Sequence, residues 1–133
     1  MNAQPTTAEA VREVPLSLFR ATTEGMAAEP IDLRALTTAG RSGVAAHFLY
    51  DTGQTGPDGP AAALVRYEPG AAAPRHEHTG YEIIQVLDGE LQTEHGRYPT
   101  GSLLVMTPGS THSPRSAEGC TLLVVWERPV RPA

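Results

Sequence analysis

Short runs of apolar residues, separated by glycine- and proline-rich turns, extend along most of the chain. Apolar runs of this length bounded by turn formers are typical of β-strands, and several of them at short spacing indicate a sandwich or barrel. No segment has the pattern of a long helix. The predicted fold class is therefore all-β, and the predicted strands lie at residues 44–50, 62–68, 81–87, 90–94, 102–106 and 119–126.

Turn formers place the connections between these strands. The Asp88-Gly89 pair separates two apolar runs and predicts a hairpin that joins residues 81–87 to residues 90–94. Further turns are expected at residues 95–97 and 99–101. Residues 102–106 are apolar at nearly every position, which predicts a buried strand. We also expect the prolines near the end of the chain to stop strand pairing.

Composition divides the chain into four parts. Residues 1–13 are polar and are expected to form a loose tail. Residues 14–43 form an N-terminal arm, which starts with an edge strand at residues 14–19 and continues into a stretch that fits a helical turn or an extended segment equally well. The predicted barrel covers residues 44–128, and residues 129–133 form a C-terminal tail.

Length and charge limit the possible functions. A chain of 133 residues is one domain by size, and it buries roughly two-thirds of the surface that its unfolded form exposes. Its single cysteine, Cys120, excludes an intramolecular disulfide and a thiolate zinc site. A net charge of −5 without a basic stripe argues against a nucleic acid partner. Without a signal-like start or an apolar run long enough for a bilayer, we expect a cytoplasmic protein with no membrane partner.

Four side chains predict a metal site. His76 and His78 lie two residues apart, so both imidazoles project from the same face of an extended segment. Glu82 follows a glycine turn that can bring its carboxylate back to that face. His112 follows a Pro-Gly turn further along the chain. Three imidazoles and one carboxylate suit Zn, Fe, Mn, Ni or Cu better than Mg or Ca.

These residues resemble the first motif of the cupin family, which runs glycine, five residues, His-x-His, three or four residues, glutamate, six residues and glycine. The matching positions are Gly70, His76, His78, Glu82 and Gly89. The resemblance covers roughly residues 44–126 and implies a jelly-roll β-barrel in a single domain, with these histidines and the glutamate as metal ligands.

The second cupin motif is matched less completely. Its glycines and its histidine ligand correspond to Gly101, Gly109 and His112. Thr107 stands where the family usually has proline, and Ser116 stands where it usually has asparagine. Neither position is a ligand in the family. The departures therefore bear on loop geometry and leave the metal prediction unchanged.

Within the cupins, several phrases resemble the group that holds the cupin half of ChrR-type zinc anti-sigma factors, together with acetylacetone-cleaving and dihydroxyacetophenone-type dioxygenases. Among these phrases are His-Glu-His-Thr-Gly-Tyr-Glu at residues 76–82 and Val-Leu-Asp-Gly at residues 86–89. Anti-sigma members carry a zinc-binding helical domain before the cupin, with its own His and Cys ligands. Residues 1–43 of this chain contain no cysteine, so the resemblance does not carry sigma binding over.

The resemblance implies a metal-dependent small-molecule enzyme. We favour a non-haem Fe(II) dioxygenase-like activity on an enolisable or aromatic carbonyl compound, with Zn, Mn or Ni as other possible metals. The alternatives are a zinc-binding cupin that acts as a sensor or ligand-binding module, and a non-redox isomerase or lyase. The family and the arm at residues 14–19 also lead us to expect a homodimer.

Strand alternation predicts the walls of the pocket. If Glu82 points inward, Ile84 and Val86 point inward beside it, and Ile83, Gln85 and Leu87 face the other way. The facing wall is expected from one of two sets, Val65 with Tyr67 or Leu123 with Val125.

Three polar residues are further pocket candidates. Tyr81 and Arg66 flank the site and are suited to an anionic or enolic substrate, although an exposed position is the simpler interpretation for the arginine. His47 lies in the middle of a predicted strand, where it either lines the pocket or has a structural role. His95 falls in a predicted turn and is expected to be solvated.

Overall fold

The computed structural model describes residues 16–21, 28–31 and 43–133, and their regular structure is almost entirely β-strand. The tail predicted at residues 1–13 lies outside these ranges. The strands in chain order are β1 (Leu18–Ala21), β2 (Ala28–Ile31), β3 (Val44–Tyr50), β4 (Ala61–Tyr67), β5 (Ala71–Ala72), β6 (His76–Glu77), β7 (Glu82–Thr93), β8 (Gly96–Pro99), β9 (Leu103–Met106), β10 (Thr111–His112), β11 (Arg115–Ser116), β12 (Cys120–Trp126) and β13 (Arg131–Pro132). This confirms the predicted all-β class.

Within the described ranges there is one short helix, α1 (Thr52–Thr55), which lies in the loop between β3 and β4. Asp51 caps it, because the side chain of Asp51 accepts a hydrogen bond from the backbone N–H of Gly53 at 2.8 Å. Among the described residues, no helix has the length and apolar character needed to cross a membrane.

The arm is extended where it is described. β1 pairs with β2 in an antiparallel two-stranded sheet, with Leu18 opposite Ile31. The edge strand predicted at residues 14–19 therefore overlaps β1 only at its end, and its partner β2 belongs to the same chain. The homodimer stays a prediction.

β7 is the longest of the described strands and is shared by both halves of the main sheet. Its first half pairs with β12 and β9, and its second half pairs with β8 and β11. The main sheet has the order β3-β4-β12-β7-β11-β5, and it curls around the apolar interior as a jelly roll. A separate three-stranded sheet has the order β10-β6-β13.

The hairpin predicted at Asp88-Gly89 is wrong, because β7 runs through this position without reversing. Gly89 has φ of +82°, and the register with β12 shifts between Thr121 and Leu122. The Asp-Gly pair correctly indicates a positive φ. Here that φ belongs to a bulge that bends the strand, and not to a hairpin turn. The bend is what allows one strand to belong to both halves of the sheet.

The alternation predicted for β7 is confirmed. Glu82, Ile84 and Val86 are buried, and Ile83 is exposed on the opposite face. Val65 and Tyr67 on β4 also lie in the core. The alternative wall, Leu123 with Val125, is wrong, because the buried apolar residues of β12 beside Val86 and Ile84 are Leu122 and Val124.

The remaining strands differ from the prediction in three respects. β9 is a half-exposed edge strand instead of a buried one, because Leu103 and Val105 are each 61% exposed and only Leu104 and Met106 pack against the core. β8 occupies residues where only turns were predicted. β13 pairs with β6 although it contains a proline, which an edge strand tolerates.

The bend at Gly89 provides a test of the fold. A Cβ atom at Gly89 would collide with the carbonyl oxygen of Gly119, whereas a Cβ atom at Gly70, whose φ is +83°, would meet nothing within 4 Å. We expect Gly70→Ala to lower the free energy of unfolding by roughly 1–2 kcal/mol, because of the unfavourable φ alone. Gly89→Ala should lower it by about 1–3 kcal/mol more, because the collision adds an overpacking penalty. Urea denaturation measures both, and equal losses in the two variants would contradict this account of the bend.

Candidate metal centre

The four predicted ligands converge at one end of the barrel. β10 pairs with β6 so that His112 lies directly opposite His76. His78 follows β6, and Glu82 is the first residue of β7. One ligand atom from each of the four lies within 4.8 Å of the others. His78, Glu82 and His112 are 1%, 3% and 4% exposed, so the cluster is largely withdrawn from water.

A tight turn delivers His112 to the cluster. The backbone N–H of Ser110 donates to the carbonyl of Thr107 at 3.1 Å, and Gly109 has φ of +89°. With Pro108 and Gly109 at its centre, this turn has the sequence and the positive φ of a type II turn. Proline therefore acts one position later than in the usual cupin motif, and Thr107 takes the first position of the turn.

The same turn is bonded to the first motif. Gly109 N–H donates to the carbonyl of His78 at 2.8 Å, and His78 N–H donates to the carbonyl of Ser110 at 2.9 Å. The two motifs are therefore held together by backbone bonds that do not depend on a bound ion.

Ser116 has a structural role at the usual asparagine position. It is fully buried, and its hydroxyl donates to the carbonyl of Glu90 at 2.6 Å. Gly70 N–H in turn donates to the carbonyl of Ser116 at 2.8 Å. Ser116 therefore ties the start of the first motif to β7.

Hydrogen bonds set the tautomers of two histidines. Nδ1 of His76 lies 2.9 Å from the carbonyl oxygen of Pro74, and Nδ1 of His78 lies 3.0 Å from the carbonyl oxygen of Ser110. A carbonyl only accepts, so in both rings Nδ1 carries the proton and donates it. The Nε2 lone pairs are then free to bind a cation, as in metal-ligating histidines whose other nitrogen is held by a carbonyl.

Two of the inward-facing atoms lack hydrogen-bond partners. Nε2 of His78 lies 2.5 Å from Oε2 of Glu82, yet neither atom is in a well-directed hydrogen bond. Nε2 of His76 and Nε2 of His112 are hydrogen-bonded to each other at 2.8 Å. Buried polar atoms that face one another without well-directed bonds are costly unless a further group satisfies them. Three imidazole nitrogens and a carboxylate oxygen fit a divalent transition metal in this role.

The pKa values of His78 and His112 are shifted in opposite directions. Burial, together with the neighbouring His76 and His78, lowers the pKa of His112 to about 4. Burial also acts to lower the pKa of His78, but the Glu82 carboxylate and the Ser110 carbonyl outweigh it and raise that pKa above 6.5. His112 is therefore neutral at physiological pH and available as a ligand.

Two buried groups of the core keep their protons. Burial, with contributions from Cys120 and Glu82, raises the pKa of the Tyr67 phenol. Burial raises the pKa of the Cys120 thiol to about 11. Tyr67 therefore presents a neutral O–H to the interior, and Cys120 is not a thiolate ligand.

A cavity of about 410 Å³ opens beside His112. It lies between β8 and β9, which pair with different halves of the bent β7 and diverge from the turn at residues 100–101. We call it the wedge cavity. Its lining includes Thr93, His95, Tyr98, Leu104, Met106 and His112.

A second cavity, of about 510 Å³, lies on the other side of Glu82. Across the sheet, Ala61 pairs with Trp126, Trp126 pairs with Glu82, and Glu82 pairs with Met106. Because Trp126 lines the second cavity and Met106 lines the wedge cavity, the strand that carries Glu82 separates the two. We call the second one the aromatic cavity, and its lining includes Phe48, Asp51, Ala61, Trp126, Pro129 and Val130.

Not all predicted pocket residues lie with the cluster. Ile84, Val86 and Tyr67 belong to the core cluster on the interior face. Arg66 alternates with Val65 and Tyr67 on β4, and His47 pairs with Leu64, so both lie on the opposite face of the sheet.

Tyr81 is 51% exposed and does not line either cavity. Thr93, Tyr98 and Met106 also line the wedge cavity and were not predicted from the sequence. His95, expected in solvent, is exposed but borders the wedge cavity. The alternation within residues 103–106 is the signal that could have identified Met106, once β9 is paired with β7.

Opposite pKa shifts in adjacent histidines provide a test of the cluster. In metal-free protein, we expect His78 to take up a proton above pH 6.5 and His112 only near pH 4. Because a metal binds only neutral imidazole, its affinity should weaken as the pH falls through the raised pKa of His78. NMR titration of the imidazole carbon-bound protons measures both values, and two titrations near pH 6.5 would contradict the arrangement.

Known structures share this fold. The chain is 26% identical to a chain of Rhodobacter sphaeroides SigE in complex with the anti-sigma ChrR, with a TM-score of 0.59 over 71% of this chain and 49% of that chain. It is 25% identical to the polyketide cyclase RemF from Streptomyces resistomycificus, with a TM-score of 0.55 over 68% of this chain and 71% of RemF. The acetylacetone dioxygenase from Acinetobacter johnsonii is 15% identical, with a TM-score of 0.61 over 98% and 80% of the two chains, which shows the fold alone.

The chain spans about half the length of the SigE–ChrR chain that it matches. A comparison with the sequences of curated proteins finds no match. The family described as "ChrR Cupin-like domain" matches residues 24–130, which is most of the chain. With the jelly roll and the position of the clustered histidines in agreement, the chain belongs to the ChrR cupin-like family.

Proposed function

We propose that this protein is a metal-dependent enzyme acting on a small molecule, and that His76, His78, Glu82 and His112 hold one divalent transition metal. One observation carries the proposal: a largely buried cluster of four ligand atoms borders a cavity of about 410 Å³ through His112. Catalytic metal sites keep a position open for substrate, whereas structural sites are closed. The volume of the wedge cavity is typical of a small-molecule site.

The chain supplies orientation and exclusion of water. When bound, the metal supplies Lewis-acid chemistry and, as Fe(II), the ability to react with O2. The carbonyls of Pro74 and Ser110 fix the rings of His76 and His78. Apolar side chains of β7 and β9 keep water from the interior beside Glu82, and the protonated phenol of Tyr67 is available as a hydrogen-bond donor.

The reaction that we favour is oxidative cleavage of an enolisable or aromatic carbonyl compound with Fe(II) as the native metal. One carbon–carbon bond breaks and both atoms of O2 enter the two products, so the step needs no further reductant. The support is the family, together with a ligand set that accepts iron. The fold shared with an acetylacetone dioxygenase is compatible with this chemistry but does not select it.

A second candidate is a zinc-binding cupin that acts as a sensor or ligand-binding module. It is favoured by the family description and by the 26% identity to a chain of the SigE–ChrR complex. A non-redox isomerase or lyase with Zn or Mn uses the same site and differs from the oxygenase only in its metal and chemistry.

Metal content and oxygen consumption separate these functions. We expect protein purified without added metal to contain iron and, with a panel of β-diketones, hydroxyacetophenones and catechol-like compounds, to consume O2 under air and form no product under nitrogen. Stoichiometric zinc with no oxygen uptake would exclude the oxygenase function and favour the sensor function. Turnover that is equal under air and nitrogen would identify the isomerase or lyase.

Substitution of one ligand tests the metal site itself. We expect His78→Ala to lower both the metal content and the melting temperature, because bound metal stabilises the folded state by mass action, by about 2.7 kcal/mol at a hundredfold excess over Kd. His47→Ala is a matched control on the opposite face of the sheet and should keep its metal.

Metal analysis and thermal unfolding with and without a chelator measure the effect. The chelator should lower the melting temperature of the unsubstituted protein and of His47→Ala, but not that of His78→Ala. Full metal content in His78→Ala would exclude His78 as a ligand.

A further inference from the structure

The ring of Tyr98 is packed into the wall of the wedge cavity. Tyr98 on β8 pairs with Leu91 on β7, and paired residues of an antiparallel sheet project to the same face. Leu91 is fully buried, so Tyr98 projects to the interior beside it, and its half-buried ring packs against the core cluster. The fold therefore sets the position of the phenol oxygen before any ligand binds.

The phenol hydroxyl of Tyr98 makes no hydrogen bond within the part of the chain that the structure describes. It lies over Gly96, where a Cβ atom would come within 3.2 Å of the phenol oxygen, so the glycine leaves this oxygen uncrowded. Tyrosine hydroxyls that are withdrawn from water usually have a partner. Because Tyr98 lines the wedge cavity, a molecule bound there can supply that partner.

The other polar side chains of the cavity wall are bonded or face water. The hydroxyl of Ser110 donates to the carbonyl of Thr107 at 2.6 Å, and the hydroxyl of Thr111 accepts a bond from Arg75 at 2.8 Å. The hydroxyl of Thr93 accepts a bond from the backbone N–H two residues later at 3.0 Å. Among the described lining residues, only Tyr98 and the solvent-exposed Thr107 have a side-chain polar atom without a hydrogen bond.

The described lining of the wedge cavity contains no carboxylate, lysine or arginine. Two charged side chains contact lining residues from outside, because Arg75 bonds to Thr111 and Glu94 lies 3.6 Å from His95. Arg75 and Glu94 also pair with each other at 3.6 Å. An ionic group placed in the cavity away from the metal ligands would therefore lose its hydration without gaining a counter-charge. The cavity suits an uncharged part of a ligand.

Apolar side chains connect the wedge cavity to the metal cluster. Leu104 and Met106 on β9 line the cavity and pack against the core. Met106 also pairs with Glu82, and His112 is itself a lining residue. Two of the four candidate ligands therefore adjoin the cavity, and a molecule that reaches from the metal into it meets an apolar wall and the Tyr98 hydroxyl.

We propose that Tyr98 is a substrate-binding residue, which donates its O–H to an uncharged carbonyl or hydroxyl oxygen while apolar atoms of the substrate pack against Leu104 and Met106. This inference rests on the proposed function and narrows its substrate class. It selects compounds that carry an uncharged oxygen in addition to the oxygen that binds the metal, such as hydroxylated aryl ketones, over simple ketones and over compounds with a second ionic group.

The methyl group of Met106 gives a direct measurement of binding in this cavity. The chain contains three methionines, and the other two, Met1 and Met26, lie outside the described residues. Labelling the methionine methyl carbons gives three NMR signals, and Met106→Leu identifies the signal of interest. The full chain is first stripped of metal, so that a probe with one oxygen has no metal to bind.

Three probes of similar size separate the contributions. Acetophenone has one carbonyl oxygen, α-methylstyrene has a CH2 group in place of that oxygen, and benzoate has a carboxylate in place of the acetyl group. We expect a saturable shift of the Met106 signal with acetophenone and weaker binding of benzoate. No saturable shift with acetophenone, or benzoate binding as tight as that of acetophenone, would overturn the proposal.

Removal of the single hydroxyl tests Tyr98 itself. Tyr98→Phe should weaken acetophenone binding by about two- to tenfold, the usual contribution of one neutral hydrogen bond, and leave α-methylstyrene binding unchanged. Comparing both probes in both proteins cancels their different hydrophobicity. Tyr50→Phe, at the end of β3 and outside both cavity linings, makes the same chemical change and should alter neither affinity. Unchanged acetophenone binding in Tyr98→Phe, or equal losses for the two probes, would reject the hydrogen bond.

Metal uptake and turnover, measured on the same preparations, separate this inference from the function on which it rests. Acetophenone binding that depends on the Tyr98 hydroxyl, in a protein that takes up no metal, supports the inference and excludes the metal chemistry. Metal uptake and turnover in a protein whose acetophenone binding is indifferent to Tyr98→Phe overturn the role of Tyr98 alone.

Discussion

The antiparallel pairing of β6 with β10 is the contact on which the rest of the site depends. It brings together two segments far apart in the chain and sets His112 opposite His76. The adjoining bonds between His78 and the turn at residues 109–110 fix the relative position of the two motifs through the backbone. The imidazoles are thus positioned before any ion binds. A site assembled in this way loses little conformational freedom when a ligand arrives.

The four candidate ligands could be grouped from the sequence, because strand alternation and the positions of the glycine turns are both local features. Alternation along an extended strand puts His76 and His78 on one face, and the same rule correctly placed Ile84 and Val86 inside with Glu82. The all-β class also followed from local patterns of apolar runs and turn formers. The type II turn compensated for Thr107, so the departure from the family pattern did not disturb His112.

The errors came from properties that only the paired strands determine. Asp88-Gly89 signals a positive φ, but whether that φ reverses a strand or bends it depends on the partner strand β12. The choice of Leu122 and Val124 over their neighbours depends on the same register shift. The cavities were also beyond local rules, since the wedge cavity exists only because β8 and β9 follow the two halves of a bent strand.

Arg131 and Pro132 also belong to the site. Pro132 pairs with His76, and Arg131 holds Glu77 through bonds of 3.2 and 3.0 Å from its Nε and Nη2 atoms. β6 therefore lies between one strand that carries a candidate ligand and another that carries none. Any change that loosens β13 acts directly on the strand that carries His76. For engineering purposes, β13 should be treated as part of the metal centre.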